Sequence, residues 1–306
     1  MHRSRGALFW RRIWAARYLY LMFLPVFLYY VFFRYAPMLG LSIAFKDYNA
    51  FLGFGRSPWV GFKYFQQFFN SIYLWRLIRN TLLINLYDLL FNFPAAIILA
   101  LLLNEVQNRR FKKVTQTITY LPYFVSSVVI ASMVVQFLSP SSGIVNNLIA
   151  AMGGERQYFM TQPGAFRPIY TLMNLWKNIG WNSIIFLAAI SGINGELYEA
   201  CMVDGGGYLR RMWHITLPGI AGTIVVLLIM RLGHVMDAGY ETILLLQNNA
   251  NLEASDVIGT YVYRRGLKGG EYSYATAVGM FQSVIGFAMV IFANWLSRTY
   301  SETSLW

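Results

Sequence analysis

The chain has 306 residues, of which 57% are hydrophobic and only 12% are charged. Soluble domains usually carry about 25% charged residues, so this composition excludes an ordinary water-soluble protein and favours a polytopic membrane protein. The net charge of +12 is interpreted as basic cytoplasmic loops that orient the chain, and no nucleic-acid partner is expected. The single cysteine, Cys201, excludes an internal disulfide and leaves the redox compartment open.

Six apolar segments approach the roughly 20 residues that a helix needs to cross hydrocarbon. We call them spans one to six, and the sequence predicts them at residues 18–36, 79–103, 115–138, 168–192, 219–242 and 275–297. The predicted fold class is therefore all-α, a polytopic membrane protein with about six transmembrane helices. Span one follows several arginines, as a signal core would, but its apolar run is longer and no Ala-x-Ala-like site follows it. We therefore expect an uncleaved first span.

Basic residues predict the orientation of the chain. They are concentrated in residues 1–17 and in the short loop 109–113, and short loops near span ends follow the positive-inside rule best. Both termini are thus predicted to be cytoplasmic, with a basic segment 1–17 before a six-span domain 18–297 and a tail 298–306 after it. The same polarity places residues 193–218, which we call the insert, in the cytoplasm.

Several charged side chains lie within the predicted spans, where they tend to face a bundle interior or a water-filled cavity. Asp88 is in span two, Lys177 in span four, and Arg231, Asp237 and Glu241 in span five. Arg231 and Asp237 are six positions apart and point to different sides of one helix, which predicts partners on other spans. Alternatively, each is a satisfied contact between helices or lies nearer the membrane interface.

Span four is the richest in polar and aromatic groups. Asn174, Lys177, Asn178 and Trp181 follow the helical spacing i, i+3, i+4, i+7, and Asn182 lies beside them. Sugars require this combination, because their rings stack on aromatic side chains while their hydroxyls hydrogen-bond to amides. A polar stripe also serves helix packing, so both interpretations stay open. A second set of residues that could line a substrate pathway lies at the end of span five: Asp237, Tyr240 and Glu241.

No catalytic constellation is visible in the sequence. His2, His214 and His234 are scattered over a terminus, a loop and a span, and none has metal-ligand spacing. The phosphate-binding pattern Gly-x-x-x-x-Gly-Lys-Ser/Thr occurs nowhere. We expect no catalytic residue, metal or cofactor in this chain, so ATP would have to bind another chain. Coupling to protons or sodium through an intramembrane carboxylate stays open, but the internal repeat of many secondary transporters is not seen.

The insert predicts two short helices at an angle. Asn194 is a suitable N-cap for a helix over residues 195–203. Three glycines at 205–207 end that helix, because glycine enters left-handed conformations without penalty. A second short helix over 208–214 follows, and Pro218 suits the start of span five. An inert loop would not require this order, although the sequence alone does not exclude one.

A gapped pattern runs through the insert. It consists of Glu199-Ala200-Cys201, then Gly205, then Ile215-Thr216-Leu217-Pro218. This pattern resembles the signature of membrane subunits of ATP-binding-cassette importers, which reads Glu-Ala-Ala, three residues, Gly, nine residues, Ile-x-Leu-Pro. Asp204 before the glycine is common in sugar permeases. The departures are Cys201 for the second alanine and two further glycines, Gly206 and Gly207, where alanine and another small residue are usual.

The resemblance extends over most of the chain, to one carbohydrate-permease subgroup. Tyr35-Ala-Pro-Met38 and Ser57-Pro-Trp-Val-Gly-Phe62 look like its first outer segment. Tyr272-Ser-Tyr-Ala-Thr-Ala277 and Glu302-Thr-Ser-Leu-Trp306 look like its sixth span and tail. Permeases of this subgroup serve importers of oligosaccharides, including the alginate-oligosaccharide importer. The sequence does not name the sugar, its length or its charge.

The resemblance implies the type I importer permease fold in a bacterial cytoplasmic membrane. The implied partners are a second related permease, two ATPase subunits that bind ATP and Mg²⁺, an extracytoplasmic binding protein and membrane lipid. The insert would be a coupling helix seated in a cleft of one ATPase, and ATP-driven closure would turn the cavity outward. The implied coupling residues are Glu199, Ala200, Cys201, Asp204, Gly205, Leu217 and Pro218.

Two other classes of protein are alternatives to an importer subunit. An ion-coupled secondary transporter of a polar solute is the runner-up, and it would not need the ordered insert. A membrane enzyme of lipid or glycan metabolism is third, and the sequence shows no acid/base or metal cluster for it.

Overall fold

The computed structural model describes residues 14–300. Most of the predicted basic segment 1–17 and of the predicted tail 298–306 lies outside the described residues. Between residues 14 and 300 the chain is helical, and the one β pairing there is an isolated bridge between Lys46 and Trp59. The predicted all-α class is confirmed.

Among the described residues, three helices are long and apolar enough to cross a membrane by themselves: Arg17–Phe45, Leu74–Glu105 and Tyr272–Thr299. Further crossings come from helix pairs that are bent at a short break: Arg109–Phe124 with Ser127–Phe137, Pro163–Ser191 with Gly195–Val203, and Tyr208–Gly219 with Ala221–Gly233. Counting each bent pair as one span gives up to six, which agrees with the predicted number. Shorter helical segments occupy the loops: Gly53–Arg56, Lys63–Phe69, Ile144–Ala151, Phe159–Thr161, Tyr240–Leu246, Leu252–Ser255, Ile258–Val262 and Tyr263–Lys268.

The prediction of span three as one straight helix is wrong. Its two halves meet at an angle of 97°. Pro122 lies in the 3₁₀ turn that ends the first half, and Ser126 caps the second half by accepting the N–H of Val128 at 3.3 Å. The backbone between the halves is extended. The sequence signs of this bend are Pro122 and the serine pair at 126–127, which average hydrophobicity over residues 115–138 does not register.

Span five ends earlier than predicted. Its helix Ala221–Gly233 has 13 residues, which is about 20 Å at 1.5 Å per residue. That length is shorter than the hydrocarbon core of about 30 Å. Residues 234–239 are not helical, and the helix Tyr240–Leu246 begins after them. The continuous helix predicted over 219–242 is therefore wrong, because the helix of span five ends at Gly233 and residues 234–239 form a break.

Four π-turns lie within the described residues, and a proline follows two residues after three of them. These three are Val31–Tyr35 before Pro37, Asp88–Asn92 before Pro94, and Met212–Thr216 before Pro218, whereas Tyr263–Lys268 is followed by Gly269. Proline has no N–H, so the carbonyl four residues earlier loses its donor. The residue before each proline donates instead to the carbonyl five residues back. Pro218 thus precedes span five, whose helix starts at Ala221 after a bend of 59°.

Three clusters of buried apolar side chains hold the spans together. One around Phe166 joins spans two, three and four to the helix that follows the break. A second, around Phe68 and Tyr274, joins the outer helix Lys63–Phe69 to spans two and six. The third, around Phe186 and Ile220, joins spans two and four to the start of span five.

The sequence also singles out Gly279 and Gly286 in span six as small residues that permit close helix approach. This is confirmed for Gly286, where a side-chain carbon would lie 2.8 Å from the carbonyl oxygen of Gly233 in span five. It is wrong for Gly279, where no atom lies within 4 Å of the corresponding point. Gly279 lines a cavity instead.

A buried carboxylate ties the last outer loop to span two. Asp256 is fully buried and receives the guanidinium of Arg76 at 2.9 Å and that of Arg264 at 2.8 Å. The hydroxyl of Thr260 donates to Asp256 at 3.0 Å, and Asn80 donates to its backbone carbonyl at the same distance. The sequence did not single out Asp256, and it left Arg264 as an external basic residue facing substrate, partner or headgroups. Within the chain, Arg264 is part of this ion-paired cluster.

Replacing Asp256 with Asn is expected to destabilise the chain by about 3–5 kcal/mol, because two guanidiniums lose their buried counter-charge. Glu271→Gln is the matched control. It breaks the pair between Arg265 and Glu271, which lies near this loop at 2.7 Å but with side chains 38% and 40% exposed, and exposed pairs contribute about 0–1 kcal/mol. Thermal unfolding in detergent measures both variants, and equal losses would contradict the structural role of Asp256.

Candidate functional site

The first arm of the insert is a capped helix, as predicted. The side chain of Asn194 accepts the N–H of Glu196 at 3.1 Å, and the helix Gly195–Val203 follows. A Schellman motif ends the helix: the N–H of Gly206 donates to the carbonyl of Cys201 at 2.7 Å. The N–H of Gly205 donates to the carbonyl of Met202 at 3.0 Å. The carbonyl groups at the end of this helix are therefore satisfied by the turn itself.

The three glycines of the turn have different roles. Gly205 has φ +73°, a left-handed conformation that favours glycine. At Gly206 a side-chain carbon would overlap the Sγ of Cys201 and lie 2.7 Å from its carbonyl oxygen. Gly207 has φ −71° and no atom within 4 Å of such a carbon. Two of the three glycines are thus required by the turn geometry, which is tightly determined despite its composition.

Three contacts fix the insert: one joins its two arms to each other, and two join it to the spans. The hydroxyl of Tyr198 in the first arm lies 3.0 Å from that of Thr216 in the second arm. Arg211 lies 3.5 Å from Glu105 at the end of the helix of span two. Leu217 packs against the buried cluster that joins spans two, four and five. The insert is therefore joined to the helices behind it.

The other side of the insert is open. Leu197, Met202 and Val203 are 53%, 50% and 88% exposed, and their positions place them on different sides of the helix. Three large apolar side chains open to solvent on one short helix suit a docking site for another protein. Cys201 and Leu217 are partly buried, whereas the other predicted coupling residues are exposed: Glu199, Ala200, Asp204, Gly205 and Pro218.

The predicted polar stripe of span four is divided between two neighbours. Lys177 donates to the hydroxyl of Ser127 at 2.5 Å. Trp181 stacks on Tyr123, with ring centroids 4.4 Å apart and planes 4° apart. Both contacts face the bend of span three, so packing accounts for Lys177 and Trp181. The cavities between spans two, four and five are lined instead by Asn174, Asn178 and Asn182.

Asp88 and Arg231 form an ion pair between spans two and five, which confirms the prediction that Arg231 has its partner on another span. Asp88 lies in the π-turn of span two and also accepts a hydrogen bond from Asn92. The carboxylate is 13% exposed and the guanidinium side chain 45% exposed. Pairing lowers the free-energy cost of placing either charge within a membrane span.

Two cavities meet at Arg231 and His234, which line both of them. The first has a volume of about 250 Å³, and its other polar side chains are Asn85, Asp88, Tyr170, Asn174, Asn178 and Asp237. The second, of about 240 Å³, continues past Asn92, Asn182 and Phe186. Together they form a polar track between spans two, four and five.

The predicted residues at the end of span five lie around its break. Asp237 is exposed within the non-helical stretch, and none of the ion pairs formed within residues 14–300 includes it. Tyr240 lines a third cavity, of about 510 Å³, which also reaches Asp237. Glu241 is exposed in the first turn of the next helix and lines neither cavity that Asp237 lines.

Three residues that line these cavities, Asn85, Asn92 and His234, are not among those that the sequence predicts for a substrate pathway. Asn85, Asp88 and Asn92 are spaced i, i+3, i+7 along span two, a polar stripe within an apolar run that periodicity could have revealed. His234 offers no such signal, because its place depends on where span five breaks. Within the described part of the chain, no group of three metal-ligating side chains occurs.

Comparison with known proteins identifies the family. Residues 92–302 match the family described as "Binding-protein-dependent transport system inner membrane component". Protein LplB of Bacillus subtilis (strain 168) is 45% identical over 289 residues, covering 94% of this chain and 91% of that protein. The polygalacturonan/rhamnogalacturonan transport system permease protein YteP of the same organism is 45% identical over 290 residues, covering 95% and 90%.

A solved structure extends the likeness to nearly the whole chain. It is a crystal structure of a bacterial alginate ABC transporter in complex with an alginate pentasaccharide-bound periplasmic protein. One chain of that structure superposes with a TM-score of 0.90 at 46% identity, covering 97% of this chain and 99% of that chain. The chain therefore belongs to the family of binding-protein-dependent transport system inner membrane components.

Proposed function

We propose that this chain is a permease subunit of an ATP-binding-cassette importer and forms half of the translocation pathway for an oligosaccharide. The insert carries this proposal, because it combines an exposed apolar helix, a tightly determined turn and firm contacts to spans two and five. A partner ATPase seats the insert in a cleft, binds ATP and Mg²⁺, and moves the spans through it. Glu199, Ala200, Asp204 and Gly205 lie at the surface of contact.

The names of the relatives support a saccharide as the substrate. YteP is named for polygalacturonan and rhamnogalacturonan transport, and the similar crystal structures are of importers of the acidic polysaccharide alginate. The polar track between spans two, four and five supplies amide and carboxylate groups that hydrogen-bond to hydroxyls. An extracytoplasmic binding protein would deliver the saccharide to the outer loops.

A second, related permease completes the pathway in this proposal. None of the side chains of Arg17–Tyr30 in span one is buried, so this apolar surface is left for lipid and for the partner permease. The complex lies in the cytoplasmic membrane of a bacterium, with both termini and the insert on the cytoplasmic side. Two ATPase subunits, one for each permease, complete the assembly.

The proposal is tested by reconstituting the chain with its partner subunits and binding protein in vesicles. Oligosaccharides of alginate, polygalacturonan and rhamnogalacturonan are supplied in turn. We expect at least one of them to stimulate ATP hydrolysis and to enter the vesicles only when ATP is present. Uptake that needs a proton or sodium gradient and no ATP would support the secondary transporter and contradict this proposal.

Reversing the charge of Glu199 to Lys is expected to uncouple ATP hydrolysis from uptake, because the exposed carboxylate of the insert would meet basic or amide groups of the ATPase. Membrane insertion should stay normal, since the exposed side chain of Glu199 makes no hydrogen bond or ion pair with the other described residues. Glu199→Gln, which keeps the size and a hydrogen-bonding group, is expected to have a smaller effect. The ratio of saccharide imported to ATP hydrolysed measures the coupling, and a normal ratio in Glu199→Lys would show that Glu199 does not contribute.

The three glycines provide a matched series within one turn. Gly205→Ala places a side chain in the left-handed region at a cost of about 1–2 kcal/mol, and Gly206→Ala overlaps Cys201. Both variants are expected to lower the coupling ratio, because the Schellman turn that orients the helix is lost. Gly207→Ala, which meets no atom within 4 Å, should behave as the wild type. If Gly207→Ala were as damaging as Gly205→Ala, the turn geometry would not explain coupling.

A further inference from the structure

We propose that the break in span five is a binding site for the hydroxyl groups of one sugar ring, with the carboxylate of Asp237 as their hydrogen-bond acceptor. The inference rests on the proposed function and names one place where the transported saccharide contacts this chain. Three features support it. Hydrogen bonds from two other spans fix the conformation of the break. The carboxylate of Asp237 has no ion pair among the described residues, and two cavities meet at it.

The break is held in place by its neighbours. The hydroxyl of Tyr170 in span four donates to the carbonyl of Ala238 at 2.8 Å, and the side-chain amide of Gln282 in span six donates to the carbonyl of Met236 at 2.7 Å. Met236 and Ala238 are buried. At membrane depth, non-helical backbone is tolerated only where protein buries it or where it lines a water-filled cavity. The break is therefore part of a cavity wall: other spans satisfy two of its carbonyls, and its open side lines the cavities.

Asp237 lies between these two anchored residues and faces outward. Its carboxylate accepts one hydrogen bond among the described residues, from the N–H of Gly239 at 3.3 Å, although it has about four acceptor sites. Asp88 and Asp256 are paired with arginines, and Glu105 at the end of span two is paired with Arg211. Glu241 has no ion pair among the described residues either, but it lines neither of the two cavities. An exposed carboxylate without an ion pair beside the spans indicates a functional site.

Asp237 is the one residue that lines both adjoining cavities. The smaller, of about 250 Å³, contributes the amides of span four. The larger, of about 510 Å³, contributes aromatic and hydroxyl side chains: Tyr240, Tyr263, Tyr272, Thr276 and Ser283. Aromatic faces beside a hydrogen-bond acceptor suit a sugar ring, because the ring carbons are apolar and the ring substituents are hydroxyls.

A bound cation is a poorer fit to the same geometry. In broken transmembrane helices that bind sodium, unwound carbonyl groups coordinate the ion. Here the carbonyls of residues 236 and 238 are already hydrogen-bonded to Gln282 and Tyr170. The negative charge of Asp237 also repels any carboxylate group of the ligand. Hydroxyls are therefore the ligand groups that the site accepts.

The test uses the reconstituted complex and the oligosaccharides of alginate, polygalacturonan and rhamnogalacturonan. Asp237→Ala removes every acceptor and is expected to lower uptake kcat/KM about tenfold or more, the effect of losing hydrogen bonds to a charged group. Asp237→Asn keeps one acceptor oxygen and should lie between Ala and wild type. Glu155→Gln, an exposed outer-loop acid that lines neither cavity, should match the wild type.

Other outcomes would overturn the site. Unchanged or faster uptake in Asp237→Ala would show that the carboxylate does not bind the saccharide. Asp237→Asn as inactive as Asp237→Ala would show that charge is needed, as in ion coupling. If the wild-type complex itself imports no saccharide, the proposed function fails instead, and the two failures are thus distinguished.

Thiol labelling tests the site independently of transport rate. Ser283→Cys keeps Asp237 and places a thiol at an exposed position of the larger cavity, and its labelling is compared with that of the unaltered chain, which contains Cys201 alone. A hydrophilic methanethiosulfonate reagent should label residue 283, and the oligosaccharide that stimulates ATP hydrolysis should slow this labelling. Ser255→Cys, at a fully buried position, is the control that should add no labelling. No labelling at 283, or no protection by saccharide, would overturn the proposal.

Discussion

The structure depends on one constraint: within hydrocarbon, every backbone N–H and C=O must find its partner inside the protein. The π-turns show how the chain meets this constraint at prolines. Where Pro94 cannot donate, the helix of span two widens, and the preceding residue Phe93 donates to the carbonyl of Asp88, five residues back. The same turn carries Asp88, whose partner Arg231 lies on span five. The π-turn that accompanies this proline therefore also carries an ion pair between two spans.

The break in span five meets the constraint differently. The carbonyls of Met236 and Ala238 accept hydrogen bonds from Gln282 and Tyr170, which come from two other spans. Such a break cannot form in an isolated helix, because its hydrogen-bond donors are more than 40 residues away in the chain. It also frees Asp237 from the helical surface. The non-helical backbone therefore positions a polar group between two carbonyls that other spans satisfy.

Three carboxylates of this chain show how environment separates structure from function. Asp256 is fully buried between two arginines, and it fixes the outer loop to span two. Asp88 is mostly buried with one arginine, and it joins two spans. Asp237 is exposed without an ion pair among the described residues. Burial without pairing is costly, so the first two serve the fold, whereas the third is available to a ligand.

The insert combines stiffness with exposure. Its turn is determined by Gly205 and Gly206, and its second arm is joined to span two through Arg211 and Glu105. The apolar side chains that remain exposed lie on a helix whose ends are both fixed. A partner that pushes on this helix therefore moves the spans behind it rather than bending the loop. The extra glycine at 207 does not change this, because its φ is one that any residue adopts.

The sequence by itself determined the number of spans and the two-helix insert with its cap and its left-handed glycine. These features depend on apolar length and on contacts within a few residues, which composition and spacing encode directly. Only the tertiary structure decided the bend of span three, the break of span five, the division of the polar stripe of span four and the burial of Asp256. Each of these depends on partners far away in the chain, such as Gln282 for Met236 or Arg76 for Asp256, and uniform hydrophobicity hides them. Only the packed helices show that Asp88 forms an ion pair with Arg231, whereas Asp237 forms none among the described residues.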